Sequence, residues 1–131
     1  MSKPVHAMIR VRDEERARDY YARAFGFEAA DRYDFDDFTL IYLRDPASPF
    51  ELELTVNKSR DTPYDLGDGY GHIAVVVDDV EAEHARHVRE GFQATDVKTL
   101  KHGETVLARF FFATDPDGYK IEVIQRGGRF A

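Results

Sequence analysis

The chain is 131 residues long, a length that suits one ordinary domain able to bury roughly 65–70% of the surface its unfolded form would expose. A formal net charge of −7 disfavours nonspecific binding to nucleic acid or to anionic membranes, both of which depend on clustered Lys and Arg. The absence of Cys excludes a disulfide framework, a thiolate nucleophile and any Cys-based zinc or iron–sulfur site, so a metal here must be held by imidazole and carboxylate.

Val5 to Val11 reads as a strand. Asp13 then caps a helix running to about Phe25, because its carboxylate can accept from first-turn amides, and Gly26 is the expected stop. Ala17, Tyr21, Ala24 and Phe25 recur at helical spacing and give that helix an apolar stripe. Strand-like runs follow at about 27–34, 38–44 and 50–56, broken by Asp36-Asp37 and by the Asp45-Pro46 to Pro49 segment. After a loop over 58–70 the same order returns. A strand is expected at 72–77 and a helix at 79–90, capped by Asp79 and closed by Gly91; further strands are expected near 92–98, 105–113 and 119–125.

The repetition extends to chemistry. His6 and Asp13 are seven positions apart, as are His72 and Asp79; Glu53 follows His6 by 47 positions and Glu122 follows His72 by 50. A single domain over 1–131, built by duplication of about 4–57 and 70–126, therefore carries one His and one Glu at matching places in each half. Brought together, His6, Glu53, His72 and Glu122 would make a four-ligand metal site, with imidazole and carboxylate suited to Zn, Ni, Co, Fe or Mn. Strand alternation leaves Glu51 and Glu53 on the same face and cannot choose between them. The repeat can, because Glu51 aligns with Lys120 and Glu53 with Glu122.

Other conspicuous residues carry plainer expectations. His84 and His87 lie on the second helix among Glu and Arg, where a surface or half-buried place is expected, and His102 falls in a Lys-His-Gly turn. Gly67, Gly69 and Gly71 lead into a strand rather than from a strand into a helix, so a dinucleotide fingerprint is excluded and tight turning before His72 is expected instead. Asp115-Pro-Asp-Gly118 has the composition of a tight turn. The N-terminus has no cationic stretch followed by an apolar segment, and no apolar run approaches the ~20 residues that span a bilayer, so a cytoplasmic protein is expected.

With these residues in view the chain resembles the vicinal oxygen chelate superfamily and, within it, the glyoxalase I family. The matching segments are His6-x-Met-x-Arg10-Val, Glu51-Leu-Glu53-Leu-Thr55-x-Asn57, Gly69-Tyr-Gly-His72-Ile-Ala and Asp115-Pro-Asp-Gly-Tyr-x-Ile-Glu122, in the family's order and over nearly the whole chain. The resemblance implies an α+β fold of two βαβββ modules forming a curved mixed sheet around a metal-binding cleft, in a homodimer whose metal sites are shared. It implies that His6, Glu53, His72 and Glu122 are metal ligands, that Glu122 and Glu53 are the catalytic bases, and that Arg10 and Asn57 hold glutathione. The implied reaction is isomerisation of the hemithioacetal of methylglyoxal and glutathione to S-lactoylglutathione, with Ni or Co favoured and Zn possible.

The chain departs from the family at Asp68, where some members carry a substrate-binding Arg, and in a longer Lys101 to Phe112 segment. Alternatives of the same fold are a metal-dependent epimerase, thiol transferase or dioxygenase, and a non-catalytic binding protein that sequesters drugs.

Overall fold

The computed structural model describes all residues from Met1 to Ala131, which divide into two compact units, Met1–Asp65 and Leu66–Ala131. In the first unit strand β1 (His6–Arg10) is followed by helix α1 (Glu14–Phe25) and strands β2 (Glu28–Asp34), β3 (Phe38–Arg44) and β4 (Glu51–Asn57). The sheet order is β1-β4-β3-β2, with β1 parallel to β4 and the other pairs antiparallel. Helix α1 begins where Asp13 accepts from the Arg16 amide at 2.8 Å, and it ends at Gly26, whose φ of 71° is a left-handed conformation that glycine adopts without a Cβ penalty.

Alternation along each strand separates a core face from an open one. Ala17, Tyr20, Tyr21 and Ala24 of α1 are buried, as are Ile9, Ile41, Leu43, Leu52 and Leu54 of the sheet. His6, Met8 and Arg10 have the opposite strand parity to Ile9, so they belong to the other face of the sheet. Strand β2 is solvent-exposed along its length. Arg32 fastens it to the helix by donating to Glu14 through Nε at 2.8 Å and Nη2 at 2.9 Å, a two-pronged contact that a guanidinium makes with a carboxylate.

The second unit contains β5 (Ile73–Val77), α2 (Val80–Arg89), β6 (Gln93–Ala94), β7 (Lys98–His102), β8 (Thr105–Thr114) and β9 (Lys120–Gln125). Its order is β5-β9-β8-β6, again with the first pair parallel and the rest antiparallel, while β7 pairs with β8. Asp79 caps α2 by accepting from the Ala82 amide at 3.0 Å. The Gln125 side chain joins the helix start to β9, accepting from the Val80 amide at 2.9 Å and donating to the Asp78 carbonyl at 2.7 Å. Phe111, Ala113, Ile121 and Val123 are buried in this unit together with Val80. Neither helix is long and apolar enough to cross a membrane.

Several local expectations require correction. The strand expected at 92–98 is only Gln93–Ala94, and a separate strand, Lys98–His102, folds back on β8 through a turn at Gly103, where φ is 62°. His102 is thus the last residue of a strand rather than a loop residue. Strand β7 escaped notice because it is exposed at every position, so no buried face imposes an apolar alternation on its sequence.

His87 is fully buried, not at or near the surface, and stands edge-on to Phe92 and Phe111 at ring separations of 5.4 and 5.3 Å. Val80, His84 and His87 fall at i, i+4 and i+7, so the inward face marked by buried Val80 passes through both histidines. Helix α2 ends one residue before Gly91, at a Glu90 cap, with Gly91 itself at φ 81°. Of the three glycines before His72, only Gly67 has a positive φ.

Two stability outcomes follow from this packing. Leu54→Ala, which empties a fully buried site in the first unit's central strand pair, should lower unfolding free energy by about 2–5 kcal/mol in a urea titration. The Arg32 hydrogen bonds hold the Glu14 carboxyl below its ordinary pKa of 4.5. That pair therefore stabilises the fold above the ordinary value and ceases to do so as pH falls through the lowered one, so Glu14→Gln should cost stability at pH 7 and progressively less in acid. A gap between wild type and variant that stays constant from about pH 7 to 3 would rule out this ion pair as its source.

Candidate metal centre

Register fixes the first His–Glu pair. Strand β1 lies parallel to β4 with Met8 opposite Glu53, so His6 is two residues before the position that faces the carboxylate. Its imidazole reaches forward to bring Nε2 within 2.8 Å of Glu53 Oε2. The imidazole remains 40% exposed while the carboxylate side chain is only 11% exposed, so the pair is open on the histidine side and buried on the other.

The second unit repeats the construction. Ala74 lies opposite Glu122 in the parallel pair β5/β9, His72 precedes it by two residues, and His72 Nε2 lies 3.4 Å from Glu122 Oε1. Exposures of 41% and 18% for imidazole and carboxylate follow the same pattern. Glu51 instead lies 4.0 Å from the Arg44 guanidinium, an ion pair that separates it chemically from Glu53.

Each pair has an aromatic neighbour that spacing along the sequence does not reveal. On β3, Tyr42 lies directly across from Glu53, with its ring edge-on to His6 at 5.9 Å. Burial pushes the Tyr42 phenol up, and the charge of the adjacent Glu53 carboxylate adds to the effect. On β8 the residue across from Glu122 is Phe112, edge-on to His72 at 5.2 Å. Only cross-strand register identifies these two residues.

Arg10 and Asn57 belong to the first unit. Arg10 is exposed, four residues after His6 and thus on its face, with Thr55 opposite on β4. Asn57 lies two residues farther along β4 and is half-buried; its Nδ2 donates to the Tyr64 hydroxyl at 3.0 Å, and the Arg60 guanidinium sits over that tyrosine's ring at 4.3 Å. Asp68 occupies an exposed turn in the second unit. The Asp115 turn is held by its own carboxylate, which accepts from the Asp117 and Tyr119 amides, both at 2.9 Å.

The donor chemistry fits a divalent cation. Imidazole nitrogen and carboxylate oxygen bind such ions at about 2.0–2.2 Å, which puts adjacent ligands of an octahedral ion about 3 Å apart. The two pairs span 2.8 and 3.4 Å. Each supplies two donors, and no three His, Asp or Glu side chains gather as a ligand set within the chain.

Comparison with known proteins agrees with this architecture. The profile of the Glyoxalase/Bleomycin resistance protein/Dioxygenase superfamily matches residues 3–123. A lactoylglutathione lyase of Neisseria meningitidis serogroup A is 41% identical over 127 residues, covering 93% of this chain and 89% of that protein. A probable lactoylglutathione lyase of Synechocystis is 36% identical, with 95% and 96% covered. The crystal structure of glyoxalase I from Zea mays superposes with a TM-score of 0.84 at 34% identity over 96% of this chain, which spans 45% of the maize chain.

Equal register predicts equal roles for the two histidines. In calorimetric titration with Co or Zn, His6→Ala and His72→Ala should each weaken binding by at least about tenfold and by similar factors. Full affinity retained by either folded variant would remove that histidine from the ligand set.

Proposed function

Because the chain belongs to the Glyoxalase/Bleomycin resistance protein/Dioxygenase superfamily and matches lactoylglutathione lyases over nearly its full length, we infer that it is itself a lactoylglutathione lyase of the glyoxalase I type. The observation that carries the site assignment is the recurrence of one His–Glu contact at the same strand register in both units. His6, Glu53, His72 and Glu122 hold a divalent metal, with Ni or Co preferred and Zn usable. The two units are copies of one module. Since each pair offers two donors and leaves its imidazole open, the chain acts as a homodimer in which each metal takes one pair from each of two chains. The lack of Cys accords with a cytoplasmic setting.

The substrate is the hemithioacetal of methylglyoxal and glutathione, and the product is S-lactoylglutathione. Held by His6, Glu53, His72 and Glu122, a divalent cation would supply positive charge to the substrate's two neighbouring oxygens when the C–H bond next to sulfur breaks. Glu122 takes that proton and returns it to the adjacent carbon, while the hydroxyl proton passes between the two oxygens, so no atom is gained or lost. Glu53 is the second carboxylate able to carry a proton, on the opposite side. Arg10 offers a planar fork for a glutathione carboxylate, and the Asn57 amide, steadied by Tyr64, offers a donor and an acceptor to its peptide groups.

Metal-stripped protein should form no thioester from methylglyoxal and glutathione and should regain activity when Ni or Co is added, with Zn, Mn and Fe tested separately. Glu122→Gln should lower kcat by about 100-fold or more without loss of metal. Folded, metal-binding protein that is inactive with every ion would point instead to another reaction of the superfamily.

A further inference from the structure

Two motifs that are conspicuous in the sequence and take no part in the ligand set meet in the second unit, the glycine run 67–71 and the turn Asp115–Gly118. Leu66, just ahead of the run, lies against the turn, its Cδ1 3.6 Å from where a Cβ on Gly118 would stand. Near the other end the Tyr70 ring stands edge-on to the buried ring of Tyr119 at 5.2 Å, and the Tyr70 hydroxyl donates to the Lys120 carbonyl at 3.4 Å. Tyr70 precedes His72 by two residues and Lys120 precedes Glu122 by two, so this contact joins the segments that deliver both members of the second His–Glu pair.

The first unit secures its histidine differently. His6 lies inside β1, opposite Glu51 in the parallel ladder. His72 lies one residue ahead of β5, which begins at Ile73, and the chain reaches it through Gly69 and Gly71, one on each side of Tyr70. A Cβ on either glycine would meet no neighbour, so close approach does not require them, and each leaves its backbone dihedrals freer than another residue would. Between them the Tyr70 ring anchors the stretch. We propose that Tyr70 is a positioning residue that ties the glycine-flanked approach to the start of β9 and thereby holds the His72 imidazole beside Glu122. The ring carries the hold, because 3.4 Å exceeds the about 2.5–3.0 Å of a strong O–H···O hydrogen bond. The hold is a property of the chain itself; its effect on a cation rests on the reading of His72 and Glu122 as ligands.

Tyr70→Ala and Tyr70→Phe test it, each checked for cooperative melting; Tyr70→Leu, which keeps apolar bulk without the ring contact, replaces an Ala variant that fails that check. In metal-free protein, NMR order parameters of the Gly71 and His72 amides should stay near about 0.85 in wild type and Tyr70→Phe and fall toward about 0.6 in Tyr70→Ala, with those of β1 unchanged. Chelator competition should show Co binding weakened about tenfold in Tyr70→Ala, with an altered visible spectrum, and both restored in Tyr70→Phe. Added to Tyr70→Ala, His72→Ala should cost far less Co affinity than it costs in wild type, whereas His6→Ala should cost its full factor.

Order parameters unchanged in Tyr70→Ala would overturn the hold. Order parameters that fall while Co affinity stays, or equal coupling of Tyr70 to both histidines, would overturn the positioning of His72. Wild type that binds no Co would remove the ligand reading and the effect on a cation with it, and the metal-free order parameters would still decide whether the ring holds the approach to His72.

Discussion

The side-chain period of two along a strand is the constraint on which both His–Glu pairs rest. Each pair is formed across two parallel strands, by a histidine two residues ahead of the position that faces the glutamate. Slipping either strand by one residue would turn its ligand to the other face, and the contact would be lost. What prevents the slip is the buried face, not the pair itself. Ile9 on β1 and Leu52 and Leu54 on β4 lie in the first unit's core, and Ile121 and Val123 on β9 lie in that of the second. Apolar burial of about 25 cal/mol per Å² at several positions per strand outweighs anything one exposed imidazole contributes. The hydrophobic pattern therefore aims the His and Glu side chains.

Burial also explains why the glutamates must be paired. Glu53 is 8% exposed as a residue, and a carboxylate withdrawn that far from water requires donors or a cation. His6 Nε2 lies 2.8 Å from one of its oxygens, on the side where the imidazole is open to solvent. Arg44 lies 4.0 Å from Glu51, two residues before Glu53 on the same strand.

The two units share an equivalent strand order and a His–Glu contact, and they differ in what surrounds it. In the first unit the face that carries His6 and Glu53 also carries Arg10, Thr55 and Asn57, whereas the corresponding positions of the second are Val76, Ile124 and Arg126. The chain thus repeats one His–Glu contact in two different surroundings.

Much of this was legible in the sequence where the signal is local. Asp13, Gly26 and Asp79 mark helix ends because caps act through hydrogen bonds and dihedral angles within a few residues, and strand 38–44 was delimited by turn residues on both sides. The repeat selected Glu53 over Glu51 because duplicated positions keep their spacing. Strand β7 leaves no signal in the sequence because an exposed strand imposes no apolar pattern, and the polar neighbours of His87 mask an inward face that only packing reveals. Tyr42 and Phe112 lie eleven and ten residues from their glutamates with nothing in the spacing to connect them, since the turns between the strands set the pairing. The sequence by itself determined which donors exist and that they come in two like sets. Tertiary structure decided which aromatic ring faces each carboxylate, because cross-strand register is fixed by the burial of the opposite face and not by any residue at the site.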